Sequence, residues 1–233
     1  MNSANWAHHL DSCINVAAQG VRVDAGHDGF DIHHCENVVI RDCELRTGDD
    51  CVAGYDARNV VVENCLLNTA CNGVRLGVTN LRVRGCHFLG RAAYPHRASG
   101  RTQAKYAIRY YALAEDTVRE DSSGWLFEDC DFESTGCLIF YHFGDEHSQQ
   151  KNHQLVDVRF TGCRVHGLTS TSHFVGTPDM PGTISFEGCD LSWEAPNEAF
   201  LLVGEGAVVH ASDDRFAARG FVEVLQLNSA KGA

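Results

Sequence analysis

The chain is short of positive charge, of long apolar runs and of paired cysteines, and each shortage removes a class of protein. Lysine and arginine number 19 against 31 aspartates and glutamates, a net charge of −12, which opposes binding to nucleic-acid backbones or anionic membranes. Unbroken apolar runs such as Cys137 to Tyr141 and Ala199 to Val203 stop at five residues, far below the roughly 20 that a membrane-crossing helix needs. Met1 to Leu10 lacks the basic segment and apolar stretch of a secretory signal, which leaves secreted and cytoplasmic locations both open. The 11 cysteines include no Cys-x-x-Cys pair, so zinc-site spacing is absent. Long windows of 3.6-residue periodicity and a Leu-x-x-Leu-x-Leu-x-x-Asn frame are missing too. No linker divides the 233 residues, and 44% apolar with 21% charged residues is the composition of a folded chain. One domain over 1–233 is expected.

What is present is a repeat. Asn15-Val16, Asn37-Val38, Asn59-Val60 and Asn80-Leu81 follow one another at 22, 22 and 21 residues, and Cys43, Cys65 and Cys86 at 22 and 21. Short alternating stretches, Val38-Val39-Ile40 and Val60-Val61-Val62, precede two of those cysteines and read as strands. Later copies keep the local form as Phe127-Glu128-Asp129-Cys130, Phe160-Thr161-Gly162-Cys163 and Phe186-Glu187-Gly188-Cys189, with spacings widened by loop insertions. Short strands with Gly/Asn/Asp turns at this period predict an all-β fold, a single-stranded right-handed parallel β-helix. On that reading the cysteines stack inside along one strand column, and the asparagines sit at turns where their amides bond along the axis.

The same step aligns Trp6, Asp28, Asp50 and Asn72. Adjacent strands lie about 4.8 Å apart, so Asp28 and Asp50 become neighbours, with Asp49 beside them. Like charges this close resist joint ionisation, which suits a proton donor beside an acceptor. Phe30, Val52 and Val74, then Ile32, Gly54 and Leu76, form columns expected to face inward. Strict alternation would bury the carboxyls with them, so bends at Gly29 and Gly73 are expected to reset the phase. Ordinary turn aspartates remain the other reading.

Gly26-His27-Asp28-Gly29-Phe30-Asp31-Ile32, followed by Gly48-Asp49-Asp50-Cys51-Val52-Ala53, resembles the polygalacturonases and rhamnogalacturonases of glycoside hydrolase family 28, clearest from Asn5 to Gly77. That family carries Asn-Thr-Asp-(Gly/Ala)-x-Asp, Gly-Asp-Asp-Cys, Gly-His-Gly and Arg-Ile-Lys on a right-handed, pectin lyase-like β-helix. The resemblance implies Asp49 as general acid, Asp28 and Asp50 as the pair that positions and deprotonates water, and Asp31 as the motif's second acidic residue. Cys71-Asn72-Gly73 stands where Gly-His-Gly is expected, and Arg109-Tyr110-Tyr111 is the nearest counterpart of Arg-Ile-Lys, so the family's histidine and lysine are missing. Only 27 residues precede Asp28, where the family has several coils, and missing N-terminal coils are expected.

Substrate contacts are expected from Asp31, Asn72, Arg75, Arg109, Tyr111 and His27, although His27 also reads as an exposed turn residue. A loop insertion at about 90–104 opens a segment from Gly90 to Arg109 that carries Arg91, Arg97, Arg101, Lys105 and Arg109 and no acidic residue. It fits a clamp over a carboxylated sugar, Arg109 giving bidentate contact, and equally a solvated insertion. Trp6, Tyr94, Tyr106, Tyr110 and Tyr111 are candidates to stack on sugars or to pack. The leading expectation is an inverting hydrolase of a pectin-type or related acidic polysaccharide, with that polysaccharide as partner and no cofactor or metal. A lyase or epimerase with Ca²⁺ on the carboxylates and Arg75 or Arg109 as base, and a non-catalytic carbohydrate-binding solenoid, stand as alternatives.

Overall fold

A step of 22 residues is enough for three short strands and three corners. The computed structural model, which describes residues 2–3, 6–111, 118–143, 153–193, 195 and 198–225, is a coil of that kind from Asn2–Ser3 to Val222–Leu225. Phe30 lies opposite Val52 and Val52 opposite Val74, as Ile32 lies opposite Gly54 and Gly54 opposite Leu76. Among the described residues one sheet has eight strands; the other has 15 and turns a corner into two faces. Val52–Glu63 makes that turn, pairing with Phe30–His33 before the corner and with Glu36–Arg41 after it, in parallel both times. The right-handed parallel β-helix expected from the repeat is the observed fold.

The corners explain which residues repeat. Asn15, Asn37, Asn59 and Asn80 have φ of 60°, 57°, 53° and 59°, the left-handed region that asparagine tolerates better than other residues with a Cβ. Asn37 donates to Asn15 at 3.0 Å, Asn59 to Asn37 at 2.9 Å and Asn80 to Asn59 at 3.0 Å. The axial ladder is present. At the next corner Asp42, Asn64, Gly85, Asp129 and Gly162 have φ between 51° and 63°, and each is followed by a cysteine. The sulfurs of Cys43, Cys65, Cys86, Cys130 and Cys163 lie 3.1–3.6 Å from the carbonyl oxygen two residues earlier. They stack inside as expected, but at a corner rather than along a strand, because a small thiol can reach the carbonyl of its own turn there.

Between the corners, aromatic rings fill the interior. Phe127, Phe160 and Phe186 stack at 5.2 and 5.0 Å between centroids, and burying each side chain of this size contributes about 1.5–3 kcal/mol. The third corner, between the eight-stranded sheet and the face containing Phe30–His33, holds the turns at 26–29, 48–51 and 70–71. The insertion between His87–Leu89 and Tyr106–Tyr110 leaves from the same corner. No helix among the described residues is long and apolar enough to cross a membrane.

Candidate active site

Three successive turns bring the aspartates together. Gly29 N–H donates to the Asp50 carbonyl at 2.9 Å and Cys51 N–H to that of Asn72 at 3.0 Å, so residues 28, 50 and 72 stay in step. The Asp49 carbonyl accepts from Thr47 Oγ1 at 2.8 Å and from Thr69 Oγ1, both on buried threonines. Gly48 fits because a Cβ there would lie 2.6 Å from the carbonyl oxygens of Gly26 and Pro95. Of the two expected bends, that at Gly29 occurs. Gly73 instead lies inside the strand Asn72–Arg84, where a Cβ would collide with the Phe88 ring; the core, not a bend, requires glycine there.

All nine expected site residues, His27, Asp28, Asp31, Asp49, Asp50, Asn72, Arg75, Arg109 and Tyr111, line one cleft of about 360 Å³. Asp49 stands at its mouth with a side chain 23% exposed, whereas Asp28 and Asp50 form a floor at 3% and 1%. Asp28 Oδ1 accepts the Asp50 N–H at 2.9 Å. Asp50 is paired with Arg75, Nε to Oδ2 at 2.5 Å, and accepts from the Asn72 amide. Arg75 in turn lies 3.9 Å over the Tyr111 ring. Arg75 and Tyr111 therefore hold the floor, with Arg75 Nε engaged by Asp50. His27 is no exposed turn residue: its Nδ1 is 3.3 Å from Asp28 Oδ2 and its Nε2 is 3.7 Å from Asp49 Oδ2. Of the other aromatics, Trp6 also lines the cleft. Tyr110 is buried in the core, Tyr94 donates to Asp24, and Tyr106 stacks on Phe140.

Burial, followed by the charges of Asp50 and Asp49, pushes the Asp28 carboxyl up to about 8. Burial likewise raises Asp50; Arg75 and the Asn72 hydrogen bond oppose it, and Asp49 adds to it. Burial works against ionisation of Asp31 too, but His33 and then His9 outweigh it, and the net shift is downward. The floor thus holds a proton at neutral pH, while Asp31 stays ionised.

Three residues escaped the sequence reading. His96 Nε2 lies 3.7 Å from Asp49 Oδ2, on the side opposite nothing periodic: it sits in the 90–104 insertion, where no column points to it. His33 and Tyr55 also line the cleft. They are partners in register, and their spacing of 22 was available as a signal. Among the described residues, three groupings could hold a metal ion: His9, Asp31 and His33; His27, Asp28 and Asp49; and Asp49, Cys71 and His96. Imidazole and thiol donors suit transition metals rather than Ca²⁺, which takes six to eight oxygens.

A family described as right handed beta helix region matches residues 7–114. Endopolygalacturonase I from Stereum purpureum, solved with two galacturonate, is similar in structure at a TM-score of 0.51 and 16% identity, over 96% of this chain and 68% of that one. The tailspike protein gp49 from Pseudomonas phage LKA1 aligns at a TM-score of 0.36 and 11% identity, over 95% and 52%. No curated protein matches the chain. With the strand topology, the family match and the endopolygalacturonase likeness support a right-handed parallel β-helix as the fold of this chain.

Proposed function

We propose that the protein is a glycoside hydrolase that cleaves a pectin-type or related acidic polysaccharide by acid/base catalysis, in the manner of a polygalacturonase. The observation that carries this reading is the group of three carboxyls in one cleft, two on its floor and one at its mouth, with burial and the neighbouring charges pushing the Asp28 carboxyl up. Carboxyls with different environments can divide the acid and base roles. Asp49 is the one exposed to a leaving group. His27 stands between Asp28 and Asp49, with Nδ1 3.3 Å from Asp28 Oδ2 and Nε2 3.7 Å from Asp49 Oδ2, contacts longer than hydrogen bonds. The imidazole must close on both carboxyls when substrate binds for Asp28 to give a proton to Nδ1 as Nε2 gives its own to Asp49. Asp49 is then a neutral acid and Asp28 an ionised base. As Asp49 protonates the glycosidic oxygen, water adds to the anomeric carbon and gives its proton to Asp28. Asp50, fixed by Arg75 and Asn72, positions Asp28 through its peptide N–H.

Positive charge near the cleft supports an acidic substrate. Arg97 borders Asp49 and Arg109 lines the cleft, in a chain of net charge −12. The endopolygalacturonase with galacturonate bound points the same way. The Asp28 and Asp49 ligand oxygens lie within 4.8 Å, nearer the roughly 5–5.5 Å of a retaining pair than the roughly 6.5–9.5 Å of an inverting one. The resemblance implies inversion, so the first-formed anomer decides between the two. A screen of polygalacturonate, rhamnogalacturonan and neutral glycans for new reducing ends tests the reaction, and NMR of the first-formed anomer tests the stereochemistry. We expect reducing ends from an acidic glycan with inverted configuration. A retained anomer overturns the water route, a UV-absorbing unsaturated product makes the protein a lyase, and binding without cleavage makes it a binding solenoid.

A further inference from the structure

A second cluster lies at the edge of the same cleft, apart from the three carboxyls just described: Asp31 and His33 line the cleft, and His9 adjoins them. Asp31 and His33 are two residues apart on the strand Phe30–His33, so the pleat sends both side chains to one face. His9 lies opposite Asp31 on the adjacent strand His8–Asp11. Two positions on one strand and a third across from one of them form a triangle whose tips meet above the sheet. His9 Nδ1 is 2.8 Å from Asp31 Oδ2, His33 Nε2 is 2.9 Å from Asp31 Oδ1, and the three ligand atoms all lie within 4.8 Å of one another. Both imidazoles are oriented by aromatic neighbours: His9 stacks on Trp6 at 5.0 Å and His33 lies against Tyr55 at 4.2 Å.

Buried carboxylates take different partners here: Asp50 is met by Arg75 at 2.5 Å, Asp56 by Arg119 at 2.8 Å, and Asp28 by the single imidazole of His27 at 3.3 Å. Asp31 is 3% exposed and is met by two imidazoles, one at each carboxylate oxygen, so that two nitrogen donors and one carboxylate converge within 4.8 Å. We propose that His9, Asp31 and His33 bind a divalent transition metal ion of the zinc(II) or iron(II) class, with its remaining coordination positions open to the cleft. Two imidazoles and one carboxylate are a donor set for such ions rather than for Ca²⁺ or Mg²⁺. Three protein ligands with an open side are the arrangement of sites that accept water or a substrate oxygen. Asp31 is then an anchor for the ion and not a direct sugar contact. This holds whether or not the protein is a hydrolase.

The test uses the whole chain, stripped with a chelator, dialysed and titrated with zinc(II) against a chromophoric competitor and with cobalt(II) followed by absorption. We expect one ion per chain and cobalt bands of nitrogen and oxygen ligation, with no near-ultraviolet thiolate charge-transfer band. His9→Ala and Asp31→Asn should each weaken binding about 100-fold or more, since even residues behind the ligands cost 10–100-fold. Cys71→Ser and His96→Ala should bind as the unaltered chain does. The His9 side chain is 41% exposed, so its removal leaves the coil intact, and the cobalt spectrum needs no variant. Absence of stoichiometric binding overturns the proposal, as does binding that survives His9→Ala. A thiolate band lost in Cys71→Ser overturns it too, by placing the ion at Asp49.

Discussion

A carboxyl raised to about 8 by burial and by the neighbouring Asp50 and Asp49 charges costs the fold stability wherever the unfolded chain would already have lost that proton. Between the ordinary carboxylate range and pH 8 the native state binds more protons than the unfolded one, so the contribution of Asp28 to stability falls as pH rises. Asn at this position keeps an acceptor for the Asp50 N–H and removes the titration. Asp28→Asn should gain on the order of 2–5 kcal/mol at pH 8 and almost nothing at pH 4, read by urea denaturation at the two values. An equal effect at both would contradict the buried proton. The same variant should lose activity. For Asp49, the proposed acid, Asn should cost roughly 10²- to 10⁴-fold in rate on a glycan. Much of that loss should return on an activated aryl glycoside, whose departure needs no proton, whereas Asp28→Asn should not recover. Equal recovery by both would show the roles to be reversed or shared.

Single strands and turns carry their own tests. Asn59 combines a φ of 53° with ladder bonds to Asn37 and Asn80. Ala loses both the conformational tolerance and the bonds, about 1 kcal/mol or slightly more; Gly keeps the conformation and loses only the bonds. Thermal melts ranking Asn above Gly above Ala would fit, and Gly equal to Asn would show that the ladder adds nothing. Gly48 joins a turn to the insertion. A methyl group there meets the Gly26 and Pro95 carbonyls at 2.6 Å, so Gly48→Ala should push the 90–104 segment and His96 away from Asp49. We expect activity to fall more than tenfold with a far-ultraviolet spectrum that is unchanged, since the neighbouring strands do not depend on the insertion.

Over the whole solenoid each coil contacts its neighbours, so order is greatest where a coil is covered on both sides. Coverage differs among the described coils: Ile14 is 65% exposed and Val224 57%, whereas Val60, Val62 and Val83 are fully covered. Amide hydrogen exchange should therefore be slowest in Val52–Glu63 and Asn72–Arg84 and fastest in His8–Asp11 and Val222–Leu225. Uniform protection along the axis would mean that the molecule opens as one unit. The cleft draws on Phe30–His33, Val52–Glu63 and Asn72–Arg84, which places most of it among the better covered coils.

A repeating chain writes much of its tertiary structure in one dimension. Because the first coils each add 21 or 22 residues, Asp28, Asp50 and Asn72 could be placed side by side by counting, and so could the cysteine and asparagine stacks there. Counting failed where the period breaks. His96 lies in an insertion with no column to follow, and after that insertion nothing in the residue types says that Tyr110 turns into the core while Tyr111 turns to the cleft. Nor does register give side-chain reach. Arg75 spans from its own strand to Asp50 in the preceding coil, and His27 leans between Asp28 and Asp49. The sequence alone determined the coil, its step and which carboxyls would meet, since those follow from backbone periodicity. Which carboxyl is buried, which is paired with arginine and which keeps a proton was decided only by tertiary packing, because burial and charge proximity depend on atoms far apart in the chain.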